Sequence, residues 1–555
     1  MKKLCIIVFA LLVAGSVFGQ ETDINKVYQS AIENYEAKNY KKSAGEFSKL
    51  IELAKGMENL SDYVLFQGAT IFAGNDNQQK TFQILNYLID NRFYSDFERA
   101  NSQNEFQKWH TTKEWENAIL KIKENKATQP VRNRQNIKAK LLEAKSVLEK
   151  DDGKHWGHQV WNDNIIVIDY DNTIYSLTKL SNSLTDDDTL YYKTMESNTL
   201  VFVNTTQKYE GKEYATVLSN YLKDYSSTII HELYHLLQFQ FRKFNGDAIA
   251  YLDETNARIL LRLEYAALRN SLKAINENKG TDEVKSYLKD AVTFRKERQK
   301  QYSKYLNAEL EIETLEGLAN YTGFVLSTYE NKHEKAISEI NQREEAETYT
   351  RPFPYATGSA YGLIFDYLNI NWKNGLDKVY NFAEIYETKV SKSKLKISKK
   401  AFDQAKARNN FEEINKQETA REELQNKLIS YYTELLINKP TLKVAITDFD
   451  NYGRSFNMNG TLKLKDKGIV YSSIRGRDKS AGKNFGNFST IEGKDELGKA
   501  GVLSYEENGI TYFVFPLPTG ITDTKIIGDF FEIELNPNWK TVKKNDGNME
   551  IVKEL

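Results

Sequence analysis

From residue 24 to about 125, large aromatic and small residues recur at helical spacing: Tyr28, Ala31 and Tyr35, then Tyr40, Ser43, Phe47 and Leu50. That period predicts paired amphipathic helices. A weaker copy runs through Tyr63, Gly68, Ala73, Phe82 and Leu85. Polar residues take over between Thr128 and Asn136, around Pro130, and mark a first boundary before a charged helix from Ile137 to Lys150. Three apolar runs follow, Asn164 to Asp169, Thr173 to Leu177 and Thr199 to Asn204, and predict the strands of a small sheet. The helical period returns from Tyr225 to Gly246, where Ile229, Leu233, Leu236, Leu237 and Phe241 form one apolar face and Gly246 is positioned to stop the helix. Asp253 to Leu272 is a longer apolar helix, while 276 to 305 and 384 to 425, rich in Lys and Glu, read as solvated helical faces. The stretch RPFPYATGSAYG reads as a turn-rich approach to a helix from Ala360 to Ile370. From Lys439 the period shifts to short β-rich runs, with Asn459-Gly460 and Asn508-Gly509 as hairpin signals. The expected class is α+β: helices over 20–125, a mainly helical body with a small sheet over 126–438, and an antiparallel β-domain over 439–555.

Composition changes this picture at the N-terminus. Lys2 and Lys3, the apolar run Leu4 to Val13 and the small residues Ser16 and Gly19 predict a secretory signal peptide over 1–19, cleaved before Gln20. The sole cysteine, Cys5, would leave with it, so an exported, periplasmic or extracellular chain without disulfides is expected. Losing two lysines and no acid takes the formal charge from −1 to about −3. Nothing in that balance points to nucleic acid. No second run of about eighteen apolar residues predicts a membrane span.

The chemistry concentrates in His231-Glu232-Leu233-Tyr234-His235. On a helix, histidines four apart share a face and can bind one zinc ion, with the Glu between them as general base toward water. A catalytic zinc needs a third ligand, and the positions of the remaining histidines leave a carboxylate. Glu254 follows His235 by 19 residues, Glu264 lies on the next helix, and Glu316 follows by 81. Glu316 is favoured, because Asn320 one turn later can accept from a ligating imidazole whereas Arg258, one turn after Glu254, only donates. His155 and His158 lack a third donor at useful spacing, and a cleft-lining or packing role suits them better.

The order HELYHLLQ, LDETNARILLRLEYAALRNSL, ELEIETLEGLANYTG and YATGSAYGLIFDYL resembles gluzincin-type zinc peptidases, and more narrowly a group of exported bacterial metallopeptidases, over roughly residues 150 to 370. The resemblance implies a zincin-like body, zinc as cofactor, His231, His235 and Glu316 as ligands, Glu232 as base and a peptide or protein substrate. It also implies a tyrosine donor to the developing oxyanion, for which Tyr361 and Tyr355 are the candidates. The N-terminal pattern resembles a tetratricopeptide repeat, which implies a protein partner. A rival reading makes the chain an exported binding or assembly protein whose helical repeats and β-domain do the work around a structural or vestigial zinc site.

Overall fold

A computed structural model describes residues 18–196, 199–222, 226–244, 249–373, 375–456, 461–480, 482–490 and 501–554. Gly246, Asn459-Gly460 and most of the expected signal segment lie outside them. The fold is mixed α+β, with sixteen α-helices and three sheets among the described residues.

The chain opens with two helical pairs, Phe18–Glu36 with Tyr40–Leu53 and Asp62–Gly74 with Gln78–Asn91. Ser61 and Asn77 cap the second pair by accepting from the amides of Val64 and Lys80. Large and small residues interlock: a Cβ at Gly68 would lie 2.1 Å from the Phe47 ring, so only glycine lets these helices meet there. Their core, with Tyr28, Phe47, Phe66, Phe72 and Leu85, extends to Trp115, Ala118 and Ile122.

Those last three residues begin a helix of 39 residues, Lys113–Asp151. The polar stretch around Pro130 is therefore helix rather than linker. Its second half buries Ile137, Leu141, Ala144 and Leu148 in a different core, and nothing from 123 to 136 is buried. Composition there reported a solvated helix between two cores, not a break in structure.

The second core is built on a six-stranded sheet in the order Leu184–Thr185, Tyr191–Thr194, Thr173–Ser176, Ile165–Ile168, Lys212–Leu218, Thr205–Tyr209. Ile165–Ile168 pairs parallel to Lys212–Leu218 and is buried on both faces, Ile165 and Val167 in the main core and Ile166 and Ile168 in a smaller one. That is why it reads as an unbroken apolar run. The run from Thr199 to Asn204 is not a strand. A two-residue turn at Glu210-Gly211, both at positive φ, registers Tyr209 on Lys212 and ends the ladder at Thr205. Before it the chain folds back, and the Gln207 side chain bonds both the N–H and the carbonyl of Val201.

Helix Ser227–Phe241 packs on that sheet and against helix Leu318–Val325. It ends at Phe241, where Arg242 turns extended at φ −151°, ahead of Gly246. RPFPYATGSAYG is not a turn-rich approach: Phe353–Tyr367 is one helix. Its glycines serve a helix crossing, since a Cβ at Gly358 would lie 2.3 Å from the Gly317 Cα. The C-terminal runs form a seven-stranded and a six-stranded sheet, face to face through Phe488 against Phe513 and Phe515 at ring separations of 4.9 and 5.2 Å. Both are antiparallel apart from Met549–Lys553 beside Thr441–Ile446, and Asn508-Gly509 forms a hairpin turn at positive φ.

Candidate metal centre

On helix Ser227–Phe241 the two histidines face the same way, with their Nε2 atoms 3.0 Å apart. The third donor comes from a helix with a local irregularity. Leu306–Ile312 runs into a π turn, Glu313–Gly317, and continues as Leu318–Val325, with helical backbone angles at both junctions. Such one-turn widenings recur at functional sites because they re-aim a side chain without breaking the helix. Here the turn carries Glu316, whose Oε2 lies 3.5 Å from His231 Nε2 and 3.4 Å from His235 Nε2. This is the one group of three possible metal donors among the described residues.

The spacing can be tested against a metal. Donors about 2.05 Å from a tetrahedral zinc ion lie about 3.3 Å from one another. The three separations here, 3.0, 3.4 and 3.5 Å, bracket that figure. Two imidazoles and a carboxylate are also the donor set of a catalytic rather than a structural zinc. The residues present fit the ion.

Hydrogen bonds set the state of the donors. The Gln238 amide N–H donates to the Thr314 carbonyl at 2.9 Å, which leaves its Oε1 to accept from His235 Nδ1 at 3.0 Å. His235 thereby carries its neutral-state proton on Nδ1 and turns the Nε2 lone pair to the cluster. Thr314 belongs to the π turn, so the same glutamine ties the His helix to the segment that carries Glu316. Burial works against a protonated His235, yet the hydrogen bond and charge of Glu316 lift it to about 9 in the metal-free cluster. The same imidazoles hold Glu316 well below the usual carboxylate range against the opposing effect of burial. Metal entry would displace the proton between them.

Glu232 is 4% exposed, and its Oε2 has no hydrogen-bond partner. Burial, with Glu316 adding to it, raises its carboxyl above the usual range, and the two imidazoles only partly offset this. A buried carboxylate oxygen left without a donor is costly and calls for a reason. The Glu316 side chain, 24% exposed, marks the open side of the cluster.

The competing carboxylates lie elsewhere. Glu254 is exposed at the start of helix Thr255–Asn276. Glu264 is fully buried but pairs with Arg295 and Arg298. Those two arginines are themselves fully buried on helix Thr281–Gln301, so the stretch 276–305 is not simply a solvated face.

Tyr361 does not reach the cluster: its hydroxyl donates to Glu264 at 2.9 Å inside that ion network. Tyr355 does, donating to Glu316 Oε2 at 2.7 Å, its ring parallel to that of His231 at 5.8 Å. Residues 355 and 361, six apart on one helix, leave it in different directions. Asn320 is not the acceptor for an imidazole; its amide donates to the Tyr355 carbonyl at 2.8 Å. Gln238, three residues after His235, takes that role, and helical spacing alone could have nominated it. His155 packs on Trp156 and Tyr321, and His158 on Phe241.

Comparison with protein families, with curated proteins and with solved structures finds no match. No helix among the described residues is long and apolar enough to cross a membrane.

Proposed function

We propose that the protein is a zinc-dependent hydrolase of peptide bonds, with His231, His235 and Glu316 as ligands and Glu232 as general base. The observation that carries this reading is a triangle of two buried imidazoles and a partly exposed carboxylate at the separations a tetrahedral ion requires, beside a carboxylate oxygen that bonds nothing. When bound, zinc supplies a Lewis acid that acidifies water and polarises a carbonyl. Glu232 takes the proton of the attacking water at its free oxygen and returns it to the leaving amine. Tyr355, rather than Tyr361, is the hydroxyl for the developing oxyanion, because it bonds the cluster itself. Gln238 keeps His235 in the ligating tautomer.

The zincin-like body draws support from this site on a sheet-backed helix, and the repeat-like N-terminus from its interlocked helical pairs. Those pairs are the surface proposed for a protein partner. The basic and apolar start of the chain supports export. The test is Glu232→Gln. It is expected to retain zinc and lose about 10²- to 10⁴-fold in turnover on a peptide-library substrate. Undiminished turnover would sink the mechanism.

A further inference from the structure

A fully buried polar assembly in the main core lies next to the cluster and takes no part in the proposed chemistry. Glu264, Arg295, Arg298, Glu309 and Glu313 are all fully buried, three carboxylates with two guanidinium groups. Arg295 grips Glu313 through two parallel bonds of 2.6 and 2.5 Å and reaches Glu264 through Nε at 2.7 Å. Arg298 holds Glu264 and Glu309, and Tyr251 closes the far end on Glu309. Burying such a set is a poor route to stability, since each charge carries a desolvation penalty that a well-packed apolar core avoids. What a two-pronged Arg–carboxylate pair does supply is orientation.

The oriented group sits on the π turn. Glu313 opens that turn and Glu316 lies three residues on. In a regular α-helix residues three apart project within about 60° of each other around the axis. A turn closed by i→i+5 bonds takes in an extra residue and opens that angle. Glu313 can then enter the ion network while Glu316 turns to the histidines. Helix Phe353–Tyr367 clasps both: Thr357 donates to Glu313, and Tyr355 donates to Glu316 at 2.7 Å. Thr357 and Tyr361, four apart, share the face toward the network. The two helices touch backbone to backbone at Gly317 and Gly358, so a shift of the turn cannot be absorbed by side chains between them.

We propose that Arg295, Glu313 and Thr357 are positioning residues that hold the widened turn in register and so aim Glu316 at the metal. The proposal rests on the zinc reading above. Its test is zinc affinity of the purified protein by chelator competition, with the visible spectrum of the cobalt-loaded form as a signature of coordination. Thr357→Val keeps the shape and removes the hydroxyl; it should weaken zinc binding about 10- to 100-fold and alter the cobalt spectrum, and Thr357→Ser should restore both. Glu313→Gln should weaken zinc binding as well. Leu288→Ala, a cavity in the same helix as Arg295, should lower thermal stability yet bind zinc as wild type does. If Thr357→Val folds and binds zinc as tightly as wild type with an unchanged spectrum, the positioning role is wrong, whether or not Glu313→Gln folds. If wild type itself takes up no zinc, the zinc reading falls and this proposal with it.

Discussion

At the scale of single residues, the cluster is oriented by side chains that are not among its three donors. Gln238 fixes the His235 tautomer through one bond and the π turn through another. Gln238→Leu is therefore expected to weaken zinc binding about 10- to 100-fold in a chelator competition, while Asn320→Ala, which touches no imidazole, should change it far less. His155 gives a prediction of a different kind. Burial, followed by the charge of Lys373, pushes its imidazole from 6.5 down to about 4, and its Nε2 has no partner. Because the folded value is depressed, the unfolded chain takes up this proton first as pH falls. Stability should drop between about pH 6.5 and pH 4 and flatten below, by on the order of 3 kcal/mol for this group. Urea unfolding at pH 7 and pH 5 checks this: His155→Asn should lose less stability than wild type between the two. An equal loss would show that His155 does not carry the effect.

The elements that build the site were legible to different degrees, for physical reasons. Helix Ser227–Phe241 announced itself because period and motif are both local. The strand Ile165–Ile168 did so because burial on both faces leaves a continuous apolar run. The run at 199–204 is just as apolar, but pairing depends on register, and a turn six residues later decided it. Lys and Glu around Arg295 and Arg298 suggested a wet face, since the partners that bury those arginines lie on other helices. Helix Phe353–Tyr367 was hidden by Pro and Gly, which usually mark turns; here Gly358 serves the crossing with Gly317. Gly358→Ala sets a new Cβ 2.3 Å from backbone that cannot rotate away. It should cost about 1–3 kcal/mol in thermal or urea unfolding and weaken zinc binding with it, because the displaced turn carries Glu316. An alanine variant of wild-type stability and zinc affinity would contradict that crossing.

On the scale of the whole molecule, Lys113–Asp151 passes from one hydrophobic core to another, and the C-terminal sheets enclose a third. Composition located these changes of texture but not their form, because a solvated helix and a linker share the same polar residues around Pro130. Among them the site belongs to the main core, where a His helix backed by a sheet meets a helix widened by one turn. His231 and His235 could be paired from sequence because their motif is local to one helix, whereas Glu316 joins them for a reason other than the one that favoured it, since Asn320 donates to the Tyr355 carbonyl rather than accepting from an imidazole. Tyr355 could not be separated from Tyr361, because the direction each takes from its shared helix is a property of the packed fold.

The measurement that bears most directly on this account is the zinc content of the purified protein after dialysis against a mild chelator, beside His231→Ala and Glu316→Ala. The account predicts near one zinc per chain in wild type and loss from both variants. Wild type that holds no zinc even after it is added back, or a Glu316→Ala variant that retains zinc fully, would contradict it.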